Sequence, residues 1–291
     1  MMITHSLHLE KFKGMMAVDY LSKIVSMEKD THISCFIEDY KLSCNSRHFL
    51  MTMGIKEIDD AVQGLNAGEM VVLLGDPGSG KTSLTIRMVD SLSVDRKIPS
   101  LYMCLRNTPK DIIRRLVNYR SASEYEHEET IQELGDSPLY LYESPSIHID
   151  ELCDVCRQHV KEFGVKIVFV HYLYINSGSD NAFKLRLLAK ELGISIVVLM
   201  NIFEFREGIE GVLPCMRDLY DNYLGEYSDT VIGLCDYASY HIFMDDNGRD
   251  LRDLLHVSIL KCHGEVQDNR FYVHKDSLRH KSLVTNVMET N

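Results

Sequence analysis

The chain has 291 residues, a quarter of them charged and under half hydrophobic, with six prolines and no tryptophan. That is the make-up of a soluble globular protein with room for one large domain, or one domain with an extension. A formal charge of -12 excludes a general attraction to nucleic acid, so any DNA contact has to come from a local basic loop or from assembly around the strand. No apolar run is long enough to span a bilayer, and the opening MMITHSLHLEKFKG lacks the apolar stretch of a signal peptide. Eight cysteines in that context read as reduced thiols, and the expectation is a cytoplasmic protein that does not enter membranes.

In chain order, residues 1–48 form an N-terminal extension and residues 49–291 the main domain. Within the extension, LHLEKFKGMMAVDYLSKIVSM sets Leu9, Phe12, Met16, Tyr20 and Ile24 at three- and four-residue spacing. That stripe predicts an amphipathic helix, packed either on its own core or on a neighbouring subunit. EMVVLL then predicts a buried strand, and KTSLTIRMVDSL an amphipathic helix. SLYMCL, VKIVFV and ISIVVLM read as strands. PKDIIRRLVNYR, IDELCDVCRQHVKEFG and NAFKLRLLAKELG read as helices, the first begun by a proline and the last closed by a glycine. The strands are apolar throughout rather than alternating, which predicts a parallel sheet covered on both faces. After Asp229 the pattern turns β-rich, with TVIGLC, SYHIFM, LLHVSILKC and RFYVHK as strands and DDNGRD as a hairpin turn. Cys153 and Cys156 form C-x-x-C inside a predicted helix; with no second pair at zinc spacing, they read as core-facing thiols.

Between the first strand and its helix stands GDPGSGKT, a match to G-x-x-x-x-G-K-[ST] in the strand–loop–helix context that motif requires. The predicted nucleotide-binding residues are Gly75, Asp76, Pro77, Gly78, Ser79, Gly80, Lys81, Thr82 and Ser83. Lys81 would set a positive charge against the β- and γ-phosphates, and backbone N–H groups from Gly78 to Thr82 would face their oxygens. The Thr82 hydroxyl would ligate Mg²⁺, so ATP and Mg²⁺ are the expected ligands.

The lead-in MGIKEIDDAVQGLNAGEMVVLLGDPGSGKT resembles the DnaB-type replicative helicases, whose motor domain opens with T-G-x-x-x-L-D, G-L and G-D before the phosphate loop. Here those positions are Gly54, Asp59, Gly64-Leu65 and Gly68-Glu69. SPLYLYESPSIHIDEL and FKLRLLAKELGISIVVLMN are similar to further segments of that family, in order, from about Met51 to His274. The resemblance implies an α/β, RecA-like P-loop core with a mainly parallel central sheet and a β-rich C-terminal part. It also implies a homo-oligomer, in the manner of a hexameric ring, and a role in DNA replication. The family's N-terminal domain is not expected, since too little chain precedes Met51.

The same resemblance implies catalytic positions that are substituted here. Arg106 stands where the family has a water-activating glutamate, and His171 where the Walker B strand ends in aspartate. Asn201 replaces the glutamine sensor and His263 the arginine finger, while Lys261 of the K-x-R-N-G motif is retained. Arginine cannot take a proton from water at physiological pH, and a lost general base typically costs ~10²- to 10⁴-fold in rate. Nucleotide binding with weak or absent hydrolysis is therefore expected. An active ATP-dependent helicase using relocated acids (Asp76, Glu143 or Glu204) and a replication or recombination scaffold are the alternatives. The segments YINSGSDN and FEFREGIEGVLPCMRD, which face DNA in the family, carry too little net positive charge to favour tight single-stranded DNA binding, though a ring assembled around the strand leaves single-stranded DNA as a partner.

Overall fold

The computed structural model describes residues 51–121, 126–172, 175–176, 180–202 and 212–281. The N-terminal extension with its Leu9–Ile24 stripe, Glu204 and much of YINSGSDN and FEFREGIEGVLPCMRD lie outside the described residues.

The chain enters through helix α1 (Lys56–Val62) and strand β1 (Met70–Gly75), then helix α2 (Lys81–Val89), which continues as a π-helical stretch over Asp90–Asp95. Next come β2 (Ser100–Cys104), α3 (Pro109–Arg120), α4 (His127–Gly135), β3 (Leu139–Glu143) and β4 (Ile147–His148). They are followed by α5 (Ile149–Phe163), β5 (Ile167–His171), β6 (Ile175–Asn176), α6 (Asn181–Leu192) and β7 (Ser195–Asn201). The last elements are α7 (Leu224–Tyr227), β8 (Thr230–Cys235), β9 (Leu254–Cys262), β10 (Glu265–His274) and α8 (Asp276–Arg279). The eight-stranded sheet has the order β10-β9-β8-β1-β7-β5-β2-β3. From β3 to β8 every pairing is parallel, and β9 then runs antiparallel to both β8 and β10.

The continuous apolar strands have the cause the sequence suggests: both faces are covered. Val71 and Leu73 of β1, with Tyr102, Phe169, Val197 and Leu199, pack on one side against Leu84 and Met88 of α2 and Ile112 and Leu116 of α3. Met70, Val72 and Leu74, with Val168, Val170, Ile196 and Val198, pack on the other against Leu152 and Cys156 of α5 and Leu185 and Leu188 of α6. Cys153 and Cys156 are both buried in this second layer, as two core thiols.

Local chemistry sets the helix ends. Thr108 and Asp111 form a reciprocal capping box ahead of Pro109, and Gly193 closes α6 in the left-handed conformation. The sequence reading fails at SYHIFM, which is not a strand. The Asp236 carboxylate accepts from the Ala238 amide at 3.0 Å and starts a 3₁₀ turn over Tyr237–Tyr240, so local side-chain capping wins over β propensity there. DDNGRD does turn the chain back, with the Asp245 amide donating to the Arg249 carbonyl at 3.1 Å. The β9–β10 hairpin itself turns on His263 and Gly264, both at positive φ.

The lead-in is fastened to α2. Asp59 accepts from the Gly54 amide at 3.1 Å and from that of Met53, and burial lifts its carboxyl to about 6 despite those two amides. Arg87 of α2 is buried and donates to the Gly54 carbonyl, to the Tyr119 hydroxyl at 2.6 Å and to the Ser277 carbonyl at 2.6 Å. One guanidinium thus joins the entry segment, α3 and the C-terminal end of the domain. Arg87→Ala should lower the unfolding free energy by about 3 kcal/mol, because it strands buried acceptors as well as removing charged hydrogen bonds. Urea denaturation checks this, and a loss under about 1 kcal/mol would mean that water replaces the guanidinium.

Candidate nucleotide site

β1 lies between β7 and β8, and its carboxyl end runs straight into the glycine-rich loop and the N-terminus of α2. Gly78 and Gly80 hold φ of 92° and 89°, a region side chains resist, and a Cβ on Gly78 would meet only open space. Gly80 is the N-cap of α2 and makes no side-chain cap bond, so the first N–H groups of the helix face outward without intrahelical acceptors. Lys81 is only 5% exposed. Its ammonium donates to the carbonyls of Gly75 and Asp76, both at 2.7 Å, and to Ser79 Oγ at 3.2 Å. Burial pulls its pKa down to about 8, against the pull of Asp76, and Arg106 lowers it further.

Neighbouring strands bring other groups to the same edge. Asn201, the last residue of β7, is in register with Gly75, and His171 ends β5 beside Leu199. Pro77, Gly78, Gly80, Lys81, Thr82 and Ser83 line a cleft of about 240 Å³, closed opposite by Arg106, Asn107, Arg115, His171 and Asn201. This is the crevice outside the carboxyl ends of the strands where open α/β sheets take ligands. His171 is 5% exposed. Burial, with Arg106 and Lys81 beside it, drives its pKa down to about 4, so it is a neutral imidazole at physiological pH.

The family model of the DnaB-like helicase C-terminal domain matches residues 51–275. The chain belongs to the DnaB-like helicase C-terminal domain family. Among its relatives, the replicative DNA helicase DnaB of Leifsonia xyli subsp. xyli is 25% identical over 194 residues, 58% of this chain and 42% of the relative. That of Helicobacter pylori strain J99 is 25% identical over 244 residues, 74% of this chain and 48% of the relative. The chain therefore spans about half the length of the curated relatives it matches. A solved ATPase domain superposes with a TM-score of 0.73 at 19% identity, covering 86% of this chain and 98% of that one. A solved DnaB-like replicative helicase, studied with its interactions with primase, gives 0.68 at 17% identity over 89% and 68%. These likenesses establish the RecA-like helicase ATPase fold.

Within that family frame, Arg106, His171 and Asn201 come together with the phosphate loop, whereas Lys261 and His263 do not. The Lys261 ammonium donates to the carbonyls of Gly225, Glu226 and Ser228 at 3.1, 3.2 and 2.6 Å, closing the C-terminal end of α7. His263 sits in the β9–β10 turn with Nδ1 2.9 Å from Glu69 Oε1 and Nε2 2.9 Å from the Val62 carbonyl oxygen. Of the relocated acids, Asp76 accepts a hydrogen bond from the Tyr240 hydroxyl, and Glu143 is exposed at the end of β3, opposite Cys104, and is not among the residues that line the cleft. Asp236 lines a second cleft across the loop and is paired with Lys275 at 2.7 Å.

Among the described residues, the lining of the first cleft contains no carboxylate. The loop, its open glycine and its buried lysine suit a phosphate chain. The donor set does not suit Mg²⁺, which is usually held through one or two carboxylates together with substrate phosphates. The Thr82 hydroxyl lines the cleft as expected, but the neutral His171 adds no charge behind it. Reading the sequence missed Asn107, Arg115 and Tyr240. Arg115 could have been found from its place on α3, exposed beside the buried Ile112 and Leu116.

The buried histidines make stability depend on pH. His171 and His256 both have folded pKa values near 4, below the ordinary 6.5. As pH falls through 6.5 the unfolded chain takes up protons that the fold refuses, so stability is lost between 6.5 and 4. Asp59, raised to about 6, opposes this over part of the window, but two histidines outweigh one acid. Lowering the pH from 7 to 5 should reduce the unfolding free energy. His171→Asn should flatten that slope by roughly 1 kcal/mol per pH unit near pH 5.5, and an unchanged slope would mean that His171 is solvated.

Proposed function

We propose that this chain binds a nucleoside triphosphate, ATP foremost, at residues 75–83 and has lost ordinary hydrolysis, so that the nucleotide acts as a structural or switching ligand. The observation that carries this reading is the cleft itself: a phosphate loop with its lysine in place, faced by Arg106 and His171 and lined by no carboxylate among the described residues. The loop and Lys81 supply what binding needs. What hydrolysis needs is missing from the lining among the described residues, since Arg106 cannot act as a base and a neutral His171 supplies no negative charge toward Mg²⁺. The active-helicase reading gains little from Asp76 or Glu143, the first bonded to Tyr240 and the second not among the residues that line the cleft.

Membership of a helicase motor family also makes a homo-oligomer, in the manner of a hexameric ring, part of the proposal. Lys261 would first have to leave its three carbonyl partners in order to serve a neighbour's site. Tight single-stranded DNA binding is not proposed, given the net charge of -12.

Calorimetric titration with ATP tests the binding claim. Lys81→Ala should weaken affinity by at least about tenfold, having lost the charge that faces the phosphates. In the wild type the bound anion favours protonated Lys81, whose pKa in the folded chain is about 8. Affinity should therefore fall by roughly tenfold from pH 7 to pH 9, and the variant should lack that fall. Equal affinities for the two proteins would mean that the loop is not the site.

Turnover is the second measurement. Steady-state ATP hydrolysis should stay at background with or without single-stranded DNA. Robust DNA-stimulated turnover that Lys81→Ala abolishes would establish a working helicase motor instead.

A further inference from the structure

We propose that the cleft takes its nucleoside triphosphate without a divalent metal, with Lys81, Arg106 and Arg115 neutralising the phosphate chain. This rests on the nucleotide-binding reading above and goes further, because it specifies the ionic form of the ligand and the groups that replace its cation. Three observations support it. The cleft is lined by three cationic side chains and, among the described residues, no carboxylate. Neither Arg106 nor Arg115 is in an ion pair with any described residue, although most other arginines of the domain are paired, among them Arg120 with Asp90 and Arg186 with Asp229. The position that ends β5 carries His171, a neutral group with cations at its side, where a carboxylate would be needed to help hold a metal.

The charge balance follows from these residues. In phosphate-loop enzymes the metal bridges β- and γ-oxygens and is itself held by a hydroxyl and an aspartate. A cation placed here would meet Lys81, Arg106 and Arg115 with, among the described residues, no carboxylate in the cleft lining beside them, so the field inside the cleft opposes the metal and favours the bare polyanion. A guanidinium can take two phosphate oxygens in parallel hydrogen bonds, which supplies geometry as well as charge. Arg106 follows β2 and Arg115 lies on α3, so the two approach the cleft from elements other than the loop. They can therefore grip the distal phosphates while Lys81 and the helix N-terminus hold the chain from below.

The test is titration of the full chain with ATP in excess Mg²⁺ and again in EDTA. The wild type should lose less than about threefold in affinity on removal of the metal. Arg106→Glu, which restores an acid and removes one of the three cations, should bind at least about tenfold more weakly than wild type in EDTA and recover affinity when Mg²⁺ is added. Arg106→Gln should weaken the EDTA affinity without creating a metal requirement. A wild-type loss of about threefold or more in EDTA would overturn the proposal and leave the nucleotide site standing. So would an Arg106→Glu protein indistinguishable from wild type in EDTA. Absence of ATP binding in both conditions would instead remove the nucleotide reading on which the proposal depends.

Discussion

A buried ammonium has to be compensated, and the way Lys81 is compensated ties the fold to the site. Its three acceptors (Gly75 O, Asp76 O and Ser79 Oγ) all come from the loop that its own helix closes, so the lysine pulls the end of β1 around the N-terminus of α2. β1 is paired in parallel on both sides through Gly75, which fixes where the loop leaves the sheet. The same register sets Asn201 beside Gly75 and brings β5 to an end at His171. Burial costs the ammonium part of its charge preference, and an incoming polyanion restores it, so the loop by itself already favours an anion.

The groups facing Lys81 differ in one direction from those the family resemblance implies. Where the family resemblance places a glutamate and an aspartate, the chain has an arginine and a neutral histidine, both lining the cleft. On the reading proposed above, two fewer acids and one more cation suit the site to a bound polyanion rather than to a metal and an activated water. Binding and hydrolysis have different electrostatic requirements, so the first can persist where the second is lost. Among the described residues, two acids near the loop have other partners: Asp76 accepts from Tyr240 and Asp236 is paired with Lys275.

Most of the core was legible because its cause is simple. A strand covered on both faces is apolar along most of its length, and β1, β2, β5, β7 and β8 declare themselves that way, with polar residues mainly at their ends. The helices α3, α5 and α6 carry period and caps together, and α2 is announced by the glycine-rich loop before it. What escaped notice is weakly buried or locally capped. Helix α4 buries little beyond Thr130, β3 is an edge strand of half-exposed residues, and SYHIFM was diverted by Asp236. In the site, the loop is a contiguous motif and reads directly. Arg106, His171 and Asn201 become visible only through family resemblance, since three separate strands deliver them. Arg115 and Tyr240 arrive through tertiary packing, the latter from 164 residues beyond Asp76, and no local pattern announces such a pairing.

The most direct test of a binding site without turnover is to mix labelled ATP with a molar excess of the protein, isolate the complex and identify the nucleotide after a long incubation. The account predicts that the nucleotide is recovered as intact ATP. Recovery as ADP, at a rate above that of free ATP and absent with Lys81→Ala, would contradict it.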